Sequence, residues 1–274
     1  MRLSDITHIG RIIDPRRPSN RFAVLAPIGA GLVLYAFDTG DVHRAVTGAL
    51  ATFAAWAIAR EVDPDRPRAA TVAAGLTPVA TIVLGAPAPA PLLVAMLTIR
   101  IVVRSTGLPP KTTDLAVLTV GSILVGDTPW GWAAGILLAF AIVRDAALPG
   151  EPPIAAALWG AALAAGVTAR VAVSDALGVW VSPGPGPLVV LAAGLAGAVV
   201  VLRPTPVLSL GDWTRTPLDP RRIREAARFG ILTAVVAAVA GGADGIVATA
   251  PLLLGYTAVA AVRLIESRPS GTEP

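Results

Sequence analysis

Apolar residues in this chain come in long blocks, without the strict alternation of a half-buried strand or the narrow stripe of a surface helix. Ten such blocks, at about 22–37, 45–60, 69–85, 90–107, 114–126, 130–145, 154–174, 187–203, 228–243 and 247–265, are separated by short breaks rich in Pro, Gly and Asp. Each predicts a helix that is apolar on every side, which only a large protein core or a lipid bilayer can surround. Several blocks fall short of the roughly 20 residues a helix needs to cross a hydrocarbon core. The shortest runs from Asp114 to Gly126, and Gly126-Asp127-Thr128-Pro129 after it is read as a tight turn. Short spans imply local thinning of the bilayer or helices shielded inside a bundle. The fold expected is therefore an all-α integral membrane protein with about ten short transmembrane helices.

Composition supports lipid over water. Of 274 residues, 54% are hydrophobic and only 15% charged, and mean hydropathy is +0.71. A soluble domain would carry about a quarter charged residues. Cysteine is absent, which removes disulfides, thiolate metal sites and thiol nucleophiles. The two histidines, His8 and His43, stand far apart, and no Walker loop, GxGxxG or metalloprotease signature occurs.

The net charge of +4 points to nucleic acid only until its distribution is considered. If residues 1–21 form a cytosolic amphipathic segment, all but two of the 22 lysines and arginines fall on the cytosolic side, the exceptions being Arg44 and Arg170. This is the sign of bias that orients membrane helices. A single long span from Leu115 to Val143 would turn the arginine-rich 203–228 loop outwards, so ten spans fit better than nine. The resulting layout is a polytopic domain over 22–265 in the cytoplasmic membrane, with a cytosolic loop at 203–228, a cytosolic tail at 266–274, and both termini in the cytosol. Tyr35, Trp130, Trp132 and Trp180 then lie near outer ends, and Trp56 and Trp159 near inner ends, where aromatic belts form. The basic stretch from Asp219 to Arg228 has no interleaved aromatics, so membrane lipid is the expected partner and nucleic acid is not.

The blocks also pair into five similar hairpins. Residues 55–61, ending Arg60-Glu61, match residues 139–145, ending Arg144-Asp145, position by position. Asp-Pro units at Asp14-Pro15, Asp63-Pro64 and Asp219-Pro220 precede the first, third and ninth spans, where Asp caps a helix and Pro starts it. Small residues four apart, as in Ala193/Gly197, Gly160/Ala164 and Ala237/Gly241, permit close helix approach. Pro27 and Pro78 are expected to kink or interrupt their helices.

Candidate chemistry is sparse. Arg60, Arg100, Arg104 and Arg144 are placed to meet a substrate or lipid headgroups, Arg100 either snorkelling or pointing into a polar cavity, with Asp114 as a candidate partner. Arg144 and Asp145 read as an interfacial charge pair. Asp63 and Asp65, flanked by Arg60, Arg66 and Arg68, either serve a capped helix start or hold a Mg²⁺ ion carrying a phosphate; no other cofactor is implied. Three functions stay open: a scaffold or accessory subunit of a membrane complex (slightly favoured, with other membrane proteins or a second copy as partners), a transporter or flippase for a small or lipid-linked anion, and a Mg-dependent lipid-phosphate enzyme.

The topology is directly testable because the chain has no native cysteine. Asp127→Cys or Gly184→Cys should react with an impermeant thiol reagent on intact cells, and Pro64→Cys or Thr214→Cys only after permeabilisation. The reverse pattern at the last pair rejects ten spans.

Overall fold

The computed structural model describes residues 6–10, 16, 18–126, 130–148, 153–174 and 180–267. Among them lie ten helices: α1 (Pro18–Phe37), α2 (Val42–Val62), α3 (Pro67–Leu84), α4 (Pro89–Val103), α5 (Thr112–Leu124), α6 (Gly131–Ala147), α7 (Pro153–Ala172), α8 (Pro185–Val201), α9 (Pro220–Gly241) and α10 (Ala243–Glu266). Six of these begin on a proline. Proline is well suited there, because the first helical N–H has no intrahelical partner to lose and φ is already helical. Extended structure among the described residues amounts to two isolated bridges, Val181 with Gly242 and Leu210 with Pro217.

Five helices are long and apolar enough to cross a membrane: α1, α2, α3, α7 and α10. The difference from the ten spans expected lies in length and charge, since each apolar block does form a helix. α4, α5 and α8 are apolar but hold 15, 13 and 17 residues. At 1.5 Å per residue α5 reaches only about 20 Å. α9 starts at Pro220, so its first turns carry the arginines expected in a loop.

Consecutive helices run back and forth between two ends. At the end holding most arginines, the finish of α2 bonds to the finish of α4 through Glu61 and Arg100, and to the finish of α10 through Asp63 and Arg263. The finish of α6 joins the start of α9 through Asp145 and Arg222. At the opposite end, Arg44 in the first turn of α2 pairs with Asp38 at 2.7 Å and donates to the carbonyls of Thr81 and Ile82 in the last turn of α3. One of the two arginines outside the charge bias therefore caps a helix C-terminus, where cations are favoured.

α4 and α10 form the middle of the bundle. α10 packs on α2, α3, α8 and α9, and α4 on α2, α6 and α9. One apolar cluster centres on Ile58, Ile99, Leu252 and Tyr256, whose hydroxyl donates to the Ala227 carbonyl at 2.7 Å. A second joins Leu118, Leu138, Ile142, Leu163 and Val167. The outer faces of α1, α3, α5 and α8 expose apolar side chains instead, Leu25, Leu32, Val79, Val83, Val117, Leu124, Val189 and Val199 among them.

Several local expectations change. Pro27 and Pro78 sit inside helices that continue through them, as does Pro251 in α10. Trp130, at the N-cap of α6, is buried, with its ring against Gly241. Asp219 caps α9 as expected, accepting from the Arg221 N–H at 2.8 Å. Asp63 does not start a helix. It ends α2, with its N–H on the Ala59 carbonyl, and α3 begins at Pro67. The reason is steric: a residue before proline avoids the α region, so Arg66 stays non-helical, at φ −116° and ψ 77°, and the helix cannot form across it. The Asp14 unit, the turn at Asp127 and the tail at 268–274 fall outside the described residues.

The small-residue pairs matter most where α8 meets α10. A Cβ on Gly197 would lie 2.7 Å from the backbone carbonyl of Tyr256, whereas one on Gly75 in α3 would meet nothing within 4 Å. Gly197→Leu should therefore destabilise by at least the roughly 1–3 kcal/mol typical of overpacking. Gly75→Ala should be neutral or stabilising by up to about 1 kcal/mol. Thermal unfolding of the purified variants measures both; equal effects would reject the close crossing.

Candidate functional site at the basic end

The charged residues of the basic end divide according to helix geometry. Neighbours i and i+1 on a helix face different directions, so Arg60-Glu61 and Arg144-Asp145 cannot act as pairs. Glu61 and Asp145 turn inward and are buried, while Arg144 stays 46% exposed and meets Glu225 at 3.5 Å. The Arg144–Asp145 pair expected from sequence does not form.

Both inward carboxylates find arginines at the end of α4, Arg100 in its last turn and Arg104 at its C-cap. Arg100 donates to Glu61 at 3.0 Å and to the Ile9 carbonyl at 3.3 Å. Arg104, one turn later, grips Asp145 with two bonds, Nε to Oδ1 at 3.0 Å and Nη2 to Oδ2 at 2.8 Å. Arg222 of α9 adds a further bond to Asp145. Arg100 thus neither snorkels nor pairs with Asp114. Asp114 instead accepts from the Lys111 N–H and from Thr7 and His8 of the N-terminal segment.

The expected metal ligands are drawn to different elements. Asp63 accepts from Arg263 at 2.6 Å and from Arg66 at 3.1 Å, and Arg66 also reaches Glu266 at 2.9 Å. Asp65 binds the 203–219 segment, accepting from the N–H groups of Leu208 and Ser209 at 2.9 and 2.8 Å and from the Ser209 hydroxyl at 2.5 Å. No cluster of three or more His, Cys, Asp or Glu side chains placed to hold a metal occurs among the described residues.

The 203–219 segment crosses the basic end as a strap. One side is held by Asp65. The other lies on the α4–α5 loop, where the N–H groups of Asp212 and Trp213 donate to the Ser105 and Thr106 carbonyls at 3.0 Å. Gly107, at φ +87°, leaves room there for Thr214, and the Trp213 ring meets His8 edge-on at 5.9 Å.

Beside the strap opens a groove of about 810 Å³ bounded by α1, α2 and α3. Its polar lining is Arg60, Asp65, Arg68, Thr71 and Ser209, and its apolar lining includes Phe22, Trp56 and Leu208. Of the residues singled out in the sequence as sites, Arg60 and Asp65 reach it; Asp63, Arg100, Arg104 and Arg144 do not. Phe22, Trp56 and Ser209 were not singled out as groove residues, though Trp56 stands four residues before Arg60, one turn along the same face. Searches of protein-family models, curated proteins and solved structures return no match to the chain.

A buried carboxylate with two arginines around it is costly to remove. Asp145→Ala removes the carboxylate that Arg104 and Arg222 share, and should destabilise by about 3–5 kcal/mol, as breaking a buried pair does. Arg144→Gln, at an exposed site, should cost less than about 1 kcal/mol. Comparing their unfolding midpoints in detergent checks the assignment, and similar losses would contradict it.

Proposed function

We propose that this chain is a polytopic protein of the cytoplasmic membrane, crossing ten times with both termini in the cytosol, and that it serves as a scaffold or accessory subunit of a membrane complex. The membrane setting is supported by five helices of spanning length and composition and by the apolar outer faces of α1, α3, α5 and α8. Ten crossings are supported by the alternation of helix ends between two layers, with the lysines and arginines concentrated on one. The arrangement as five related hairpins draws support from Glu61 and Asp145, matched in sequence and each paired with an arginine of α4.

The observation that carries the scaffold role is the commitment of the buried charges. Glu61, Asp63 and Asp145 each pair with an arginine from another helix, which ties α2, α4, α6, α9 and α10 together. A carrier needs an element with two arrangements; Pro27, Pro78 and Pro251 each leave one carbonyl without its helical partner, but the helices run on through all three. A Mg-dependent enzyme needs converging carboxylates, whereas Asp63 and Asp65 bond to different elements.

Extraction in mild detergent followed by light scattering on the eluted species tests this role. The expected mass exceeds that of one 27.8 kDa chain, through a second copy or another membrane polypeptide. A species holding one chain and nothing else would overturn it.

A further inference from the structure

The groove beside the strap has the make-up of a binding site for an amphipathic anion. Trp56 and Arg60 lie one turn apart on α2, and Arg68 and Thr71 lie one turn apart at the start of α3. Arg60 Nη1 donates to the Pro64 carbonyl at 2.7 Å, which fixes its guanidinium at the groove. Arg68 is exposed and has no hydrogen-bonding or ionic partner among the described residues. Asp65 is the carboxylate of the lining, and its oxygens already take three donors from the strap. Arg66, at the N-cap of α3, makes no side-chain cap bond, so the N-terminal end of the helix adds to the field that favours an anion.

Half of the lining is not suited to a free ion. Trp56 is braced by Phe53, the rings stacked 6.1 Å apart, and Phe22 belongs to the same groove lining as Trp56. Leu208 is 82% exposed at the rim and adds apolar surface there. Farther along, α1 and α3 expose Leu25, Ile28, Leu76 and Val79.

The geometry points to a site for the phosphate of an anionic membrane lipid: Arg60 and Arg68 bind the phosphate oxygens, the Thr71 and Ser209 hydroxyls lie within the headgroup space, and Trp56, Phe22 and Leu208 receive the glycerol and upper acyl chains. Arginine is the residue of choice for this task because its planar fork matches a phosphate bidentately. Inorganic phosphate has the charge but nothing to cover the aromatic wall. The site rests on the membrane setting proposed above and is independent of the scaffold role. If the chain were recovered without detergent from the soluble fraction, the membrane setting would fail whatever the outcome of lipid titration.

The test is thermal unfolding of the full chain in neutral detergent, titrated with phosphatidylglycerol, with phosphatidylcholine or with inorganic phosphate. Phosphatidylglycerol should raise the midpoint saturably, and the other two should have little effect. Arg68→Gln should leave the lipid-free midpoint unchanged and raise the half-saturating lipid concentration roughly tenfold, the loss of one charge-assisted contact. Arg68→Lys should fall between, since it keeps the charge and loses the fork. Arg221→Gln, in a separate groove of the basic end with Arg224 and Pro204, should change nothing. An equal response to inorganic phosphate would overturn the lipid assignment, and no response to phosphatidylglycerol would overturn the site. Equal losses in Arg68→Gln and Arg221→Gln would mean diffuse attraction to a basic face, and would also overturn it.

Discussion

The architecture depends on the charges that lie inside the bundle at its basic end. An ionised carboxylate or guanidinium removed from water costs several kcal/mol unless it is paired and hydrogen-bonded. Glu61, Asp63 and Asp145 are all almost completely buried. Each must therefore keep an arginine within reach, and the only way to do so is to hold particular helices side by side. α4 is the hub: with arginines at 100 and 104 it takes a carboxylate from α2 on one turn and from α6 on the next. α9 joins through Arg222, and α10 joins α2 through Arg263. Apolar packing in so alanine-rich a bundle gives little preference for one neighbour over another. The ion pairs supply that preference.

The same local rule produces both the network and the groove. Arg60 and Glu61 are adjacent on α2, so one faces the bundle and the other its rim. Glu61 goes to Arg100, and Arg60 turns to the groove with Trp56 beside it on the same face. On α6 the equivalent arginine, Arg144, meets Glu225 of α9 and forms no part of the groove. What distinguishes the two places is the surroundings. α2 is followed by a short turn, α3 and the strap, which together give Arg60 a second arginine, two hydroxyls and an apolar wall. Asp65 is important here because it draws the strap against the groove and spends its own charge in doing so.

Glycine acts where helices have to touch. At the α8–α10 crossing, Gly194 and Gly197 let α10 approach to backbone contact, the close approach by which helices associate when no water is available to drive them together. Gly241 does the same for the Trp130 ring. Helix proximity, ion pairing and capping by Arg44 all act near helix ends or along seams, leaving the outward faces of α1, α3, α5 and α8 apolar and free.

Much of this was legible in the amino-acid order. The blocks of Ala, Val and Leu marked all ten helices, since a helix apolar on every side leaves a continuous run in any register. Asp219-Pro220 marked the start of α9 because its signals are local. The failure at Asp63-Pro64 was also local: Pro67, three residues on, keeps Arg66 out of the helical region and moves the start of α3. Partner choice lay beyond sequence reasoning. Arg100 meets Glu61 across 39 positions and Arg263 meets Asp63 across 200, and nothing along the chain ranks those encounters above Asp114 or a lipid headgroup. The groove depends on the same long-range placement, for Ser209 reaches Asp65 across 144 residues. Composition and order determined which segments are helical and which end is basic; the pairing of buried charges across helices, a three-dimensional requirement, decided which arginines lock the bundle and which remain at its surface.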